Sequence, residues 1–371
     1  MARTVIQETG EVNEHGQSGT IDCDVHLVVP SVDVLMPYLA DHWQAYIRET
    51  AFKGPVDSSY PRGAPIGGHP ESGKAGEVAP GLDELRDAVL GQSGTTTAIL
   101  TCAYAVESVR NPFAAAALAR AVNDWQVEHW LSRDQRLRGS IVVPIQNPDL
   151  ARAEIDRIGD HPGFVQVCLP VHGDALYGSR RYSPVFDAAV RHRLVVAIQH
   201  GGNPGNPPTA VGWPSSFIEE YVGMSHIFQS QVISLVTGGV FDTFPDLRVT
   251  LLESGVSWLP SLMWRLDKEW KGLRREVPWV RRLPSEYIKE HIRLTAWPFD
   301  APPDGAQINE IIDQIGSDEL LLFASDFPHR YHGERERAFW NGIPDRLGTM
   351  IRSENARHFY RLEPFPVIAA P

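Results

Sequence analysis

Eight short apolar runs decide what this chain can fold into. They lie at 20–28, 96–104, 138–146, 164–171, 194–200, 248–254, 292–297 and 320–326. Each is too short for most helices and rich in β-branched side chains, and most are bounded by Gly, Pro, Asp or Arg, so each reads as a strand. Between them stand segments with apolar residues at helical spacing: 112–132, 147–158, 181–191, 214–236, 256–274, 306–315 and 334–352. Pro112 opens the first of these and Asn147-Pro148-Asp149 the second, and both are good helix starts because the first turn does not need the proline's missing N–H. Alternating strands and helices imply a parallel sheet with right-handed crossovers, and eight such units closing on themselves make a (β/α)₈ TIM barrel. An open doubly wound sheet is the other candidate, but no GxGxxG follows the first run.

The barrel needs residues 20–371, which leaves 1–19 as an N-terminal arm. Two stretches exceed an ordinary strand–helix connection. Residues 51–81, dense in Gly and Pro, form a long insertion after strand 1, and residues 271–289 interrupt the crossover after strand 6. A net charge of −12 argues against a nucleic-acid binder, which needs a basic field. Cys23, Cys102 and Cys168 are odd in number and far apart, and they sit in strand runs, so they read as buried free thiols. A cytoplasmic location is expected: there is no signal-like apolar core near the start and no run of roughly 18 apolar residues. Apolar segments such as 213–241 leave room for a homo-oligomer.

In a barrel of this kind chemistry sits at the C-terminal ends of the strands. Strand 1 ends Asp22-Cys23-Asp24-Val25-His26, and alternation puts Asp22, Asp24 and His26 on one face. Strand 5 ends Gln199-His200. Strand 6 ends in Glu253, sharing a face with Val249 and Leu251. Strand 8 ends Ser325-Asp326, followed by His329 and His332. Carboxylates converging in a barrel mouth are costly unless paired or metal-bound, so with these histidines they point to a metal site. The bland alternative for strand 1 is a polar strand end whose Asp caps a turn. On strand 5, alternation pairs Gln199 with Ala197 and turns His200 the other way. Either a bulge brings His200 onto the ion or Gln199 replaces it.

Other residues offer weaker signals. His172 follows strand 4 and is placed to line the mouth. His69 lies on the long insertion, as a lid residue or a solvated one. His226 and the remaining histidines read as structural or exposed. Arg274, Arg275, Arg281 and Arg282, set among Trp270 and Trp279, form a basic patch. It reads as a grip for a phosphate-bearing substrate handle or as a solvated helix face paired with Glu269 and Glu276.

The stretches IDCDVHLVVPSVDVLMPYLADHW, AIQHGG, LLESGVSWLPSLMWRLDKEW, LLFASDFPH and ENARHFYRLE together resemble the amidohydrolase-related family of metal-dependent (β/α)₈ barrels, which includes ring-carboxylate decarboxylases and lactone hydrolases. The resemblance runs over nearly the whole chain after residue 20. It implies metal ligands at Asp24, His26, the Gln199-His200 zone and Asp326. It also implies a catalytic histidine on strand 6, where this chain has Glu253. The strand-6 and strand-8 ends further resemble a branch of similar barrels that holds two non-haem irons and hydroxylates substrates often carried on coenzyme A.

The function expected on this reading is a diiron monooxygenase acting on a bulky apolar substrate, terpenoid or acyl, with a coenzyme A thioester as one form. It would need O2 and an electron donor. Asp24, His26, His200, Glu253, Asp326 and His329 would be ligands, and Glu253 and His332 catalytic. Arg274, Arg275, Arg281, Arg282 and His172 would touch substrate. The alternative is a hydrolase or decarboxylase with one Zn or Mn ion and Glu253 as general base. A metal-free barrel that only binds a ligand is a third class.

Overall fold

The computed structural model describes residues 19–56, 80–91, 94–297, 300, 305–329 and 339–363. Each of the eight expected runs contains a strand: β1 (Thr20–His26), β2 (Thr95–Thr101), β3 (Leu137–Val142), β4 (Phe164–Pro170), β5 (Val195–Gln199), β6 (Val249–Leu252), β7 (Ile292–Thr295) and β8 (Leu321–Leu322). They form one parallel sheet in the order β1 to β8. The sheet curls back on itself where Cys23 N–H donates to Phe323 O (2.9 Å) and His26 N–H to Phe327 O (2.7 Å). The fold is therefore the expected TIM barrel. The arm and most of the long insertion lie outside the described residues, as do His69 and His332.

Helix starts follow their local chemistry. Asn111 Oδ1 accepts from Phe113 N–H (3.0 Å) and Ala114 N–H (3.2 Å), capping the helix Pro112–Gln126. Asn147 Oδ1 accepts from Leu150 N–H (3.2 Å) at the start of Pro148–Ile158. Caps of this kind are worth about 1 kcal/mol each. The helix expected at 214–236 runs Phe217–Thr237 and that at 256–274 runs Leu259–Leu273, while the insertion after β6 holds a further helix, Pro284–His291.

One end of the barrel is closed by the chain's own C-terminal helix, Asn355–Tyr360. The Tyr360 hydroxyl lies 2.8 Å from Gln166 Oε1 on β4 and 3.1 Å from Thr250 Oγ1 on β6, so it reaches across the interior. Ala356, Phe359 and Tyr360 pack there with Ile21, Cys23, Ile99, Val195 and Leu322. Arg248 bonds the carbonyls of His358 and Phe359, and Arg361 that of Arg193. Arg193 and Arg248 precede β5 and β6, so this plug fills the N-terminal end and leaves the C-terminal end for chemistry. The three cysteines are free and buried.

Candidate metal centre

The interior plug shows which side chains face inward, and this corrects simple alternation at two strands. On β1, Ile21 pairs with Thr97 and His26 with Thr101, but the register slips between Asp22 and Val25. Cys23 and Asp24, adjacent in sequence, therefore both turn inward. Asp22 pairs instead with Ala98, which packs in the layer between sheet and helices. Asp22, Asp24 and His26 do not share a face. On β6, Thr250 points in to meet Tyr360, so alternation would send Glu253 outward with Leu251. Glu253 instead has φ 58°, and Asp326 on the β8 end has φ 57°. A left-handed backbone at a residue other than glycine costs on the order of 1–3 kcal/mol. Here it swings Glu253 back over the barrel mouth.

The result is a compact group. One donor atom each from Asp24, His26, Glu253 and Asp326 lies within 4.8 Å of every other, and His26, Asp326 and His329 form an overlapping set. His26 Nε2 is 2.6 Å from Asp326 Oδ1 and 3.3 Å from Glu253 Oε1. His329 Nδ1 is 3.1 Å from Asp326 Oδ1. Asp24 is fully buried, and among the described residues neither of its carboxylate oxygens has a conventional hydrogen-bond partner, although the Thr101 hydroxyl helps to lower its pKa. Burial pushes its carboxyl well above the usual carboxylate range, against the pull of His26 and with the help of Glu253 and Asp326. Burial likewise opposes charge on Asp326, but His26 and His329 override it and hold that carboxyl well below its usual range. On His26 burial disfavours the proton, and Asp326 and Asp24 prevail and lift the imidazole well above 6.5. Three converging carboxylates, one with two orphaned oxygens, make a donor set that fits a divalent cation.

His200 stands beside this group rather than in it. Gln199 faces inward, paired with Leu252, and Cys168 Sγ lies 3.3 Å from its Oε1. His200 leaves the strand at a turn of two positive-φ glycines, Gly201 and Gly202. Gly202 passes so close to β4 that a Cβ there would lie 2.3 Å from His172 O, so only glycine fits. The His200 ring packs on Tyr221 (centroids 4.7 Å), and its Nε2 is buried without a hydrogen-bond partner among the described residues. Burial lowers its pKa, although Glu253 and Asp326 pull the other way. His172 lies at the end of β4 with Nε2 2.7 Å from Asn206 Oδ1.

The basic patch is placed elsewhere. The helix Leu259–Leu273 starts after the mouth end of β6 and runs down to the plugged end, and Pro284–His291 leads directly into β7. Arg274, Arg275, Arg281 and Arg282 thus sit opposite the centre. Arg282 pairs with Glu290 and covers the Tyr287 ring at 4.4 Å. These arginines do not line the site, which removes the structural ground for a coenzyme A handle.

Two features were missed from the sequence. Thr295 Oγ1 accepts from Glu253 N–H (3.0 Å). Asp22 Oδ1 accepts from Ser325 N–H (2.9 Å) and Asp24 N–H (3.3 Å). Burial pushes the Asp22 carboxyl up to about 6 although these bonds oppose it.

Comparison with known proteins overturns the monooxygenase expectation. A gamma-resorcylate decarboxylase from Rhodococcus jostii (strain RHA1) is 26% identical over 264 residues, 67% of this chain and 77% of that protein. The gamma-resorcylate decarboxylase from Rhizobium sp. (strain MTP-10005) is 26% identical over 306 residues, 76% of this chain and 88% of the relative. Among solved structures, a dihydroxybenzoic acid decarboxylase from Polaromonas sp. JS666, with bound manganese and the inhibitor 2-nitroresorcinol, superposes with a TM-score of 0.65 at 20% identity, covering 93% of this chain and 97% of that one. Decarboxylation replaces a carboxylate with a proton and consumes neither O2 nor electrons. The diiron centre, the oxygen and electron donor and the thioester therefore lose their support, and the two overlapping donor sets, sharing His26 and Asp326, describe one centre rather than two. No helix among the described residues is long and apolar enough to cross a membrane. The family model described as amidohydrolase matches residues 21–362, from the first strand through the C-terminal plug, and the chain belongs to that family.

Proposed function

We propose that this chain is a metal-dependent decarboxylase of hydroxylated aromatic acids, with one divalent ion, manganese by preference. The four-residue group Asp24, His26, Glu253 and Asp326 carries the reading, because its buried, partly orphaned carboxylates need a cation. The manganese-containing neighbour and the gamma-resorcylate decarboxylase relatives support the choice of ion and of reaction. These four residues would hold the ion, whose positive charge would anchor the oxygen substituents of the substrate and draw electron density from the ring. An oxygen-rich donor set favours a hard cation such as Mn²⁺.

The chain's own residues account for the proton. Losing CO2 breaks one ring-carbon bond, and a proton must take its place. His200 Nε2 is buried, unpartnered among the described residues and held neutral by burial, so it can take a proton from a substrate hydroxyl and return it to the ring carbon. His172, just past β4, meets Asn206 of the loop after β5, the same loop that His200 opens.

The test is CO2 release from 2,6-dihydroxybenzoate and 5-carboxyvanillate by the purified chain loaded with Mn²⁺. His200→Asn should lower kcat by about 100-fold or more while Mn²⁺ remains bound. Turnover of lactones with no CO2 from any hydroxybenzoate would sink the reading.

A further inference from the structure

We infer that Asp22 and Thr295 are positioning residues that brace the two left-handed acids of the centre, Asp326 and Glu253. This rests on the metal reading above and adds to it how the donors are aimed. Glu253 and Asp326 both stand one step or more beyond the end of a strand, and at Asp326 an isolated bridge between Val25 and Phe327 continues the pairing. Both have a φ near +57° that an acidic side chain rarely adopts. Each is met there by a buried oxygen from the neighbouring strand. Thr295, the last residue of β7 and fully buried, accepts the N–H of Glu253 itself at 3.0 Å. Asp22, on β1 and 1% exposed, accepts the N–H of Ser325, the residue before Asp326, at 2.9 Å.

Asp22 also accepts the N–H of Asp24 with the same oxygen, at 3.3 Å. Because the β1 slip turns Asp22 away from the mouth, it grips two donor-bearing segments from behind the sheet. Asp326 N–H completes that join by donating to Asp24 O at 3.1 Å. Three of the four donor residues thus take their backbone direction from two side chains that cannot themselves reach the ion's side of the sheet or have their oxygen engaged elsewhere. Losing such outer partners costs 10- to 100-fold in metal affinity in other sites.

The experiment is Mn²⁺ titration of metal-free protein, with free Mn²⁺ read by EPR. Thr295→Val keeps the side-chain volume and removes the acceptor. It should weaken binding by about 10- to 100-fold, and Thr295→Ser should restore it to within about threefold of wild type. Asp22→Ala should weaken binding likewise, and Asp22→Asn, which keeps the acceptor oxygen, should recover most of it. Thr295→Val remains decisive if Asp22→Ala does not fold. Wild-type affinity in Thr295→Val, or equal losses in Thr295→Val and Thr295→Ser, would overturn the brace and leave the metal reading standing. A wild-type chain that takes up no divalent ion would overturn both.

Discussion

Asp24 stands in an environment that would favour a bound cation. Among the described residues its buried oxygens have no conventional hydrogen-bond partner, and Glu253 and Asp326 add like charge beside it. Its folded pKa lies above the unfolded 3.8, so whatever stability the group contributes is complete below that value. That contribution is lost as pH rises through the folded pKa. In metal-free protein at pH 7, Asp24→Asn therefore removes the cost of burying an ionisable carboxyl while keeping the shape. Its melting temperature should rise by about 1–2 °C, the shift expected for roughly 1 kcal/mol in a chain of this size. The same variant should bind less than a tenth of the Mn²⁺ held by wild type, because a neutral amide is a poor donor for a hard ion. Differential scanning fluorimetry in chelator, with metal analysis by mass spectrometry, checks both. A lower metal-free melting temperature would show that the Asp24 carboxylate is compensated by something other than a bound ion.

At the scale of elements, the eight strands were legible because β-branched runs bounded by turn residues leave little other choice. The helix starts were legible because Pro112 and the Asn147-Pro148-Asp149 run open them; the Asn111 cap came from the structure. The aim of the strand ends was not: the β1 slip between Asp22 and Val25 and the left-handed Glu253 both break alternation, and neither has a residue-type signal as a glycine would. Charge clustering at 271–282 was visible, but not that the helix before it carries the cluster to the far end. The Tyr360 plug went unread because its partners, Gln166 and Thr250, look like ordinary strand residues. Tyr360→Phe leaves those two groups without the hydroxyl, and should cost about 1–3 kcal/mol in urea unfolding with Mn²⁺ affinity unchanged. A change in metal affinity would mean that plug and centre are coupled through the barrel. A second joint ties the turn around Asp134 to Arg86 and Arg136, at 3.0 and 2.8 Å. Hydrogen bonds from Arg136, and then Arg86, outweigh burial and hold the Asp134 carboxyl down to about 2. Its folded pKa is below the unfolded value, so its stabilisation is full above about 4 and lost as pH falls toward 2. Asp134→Asn should cost on the order of 2 kcal/mol at pH 7, and the gap to wild type should narrow steadily in melts between pH 4 and pH 2. A gap that persists at pH 2 would assign the loss to packing instead.

For the molecule as a whole, the carboxylates proposed to hold a metal would be a liability without one. Asp24 sits on β1, and Glu253 and Asp326 lie just beyond the ends of β6 and β8, on either side of the seam where the sheet closes on itself. A cation bound there would tie the two ends of the barrel sheet together, and its binding energy would become folding energy. Linkage sets the size: Mn²⁺ at 100 times its dissociation constant adds about 2.7 kcal/mol, and at 1,000 times about 4.1. In a chain with a net charge of −12, part of any divalent effect is nonspecific screening, so the comparison must be made inside the site. The melting temperature of wild type should climb with the logarithm of Mn²⁺ concentration, by several degrees per hundredfold. Asp326→Asn, which leaves the barrel's sequence and most of its charge in place, should follow only the small shift that Mg²⁺ or Ca²⁺ screening gives at equal ionic strength. If both proteins respond to Mn²⁺ alike, the ion is acting on the acidic surface, and the group at the barrel mouth is not where this protein holds its metal.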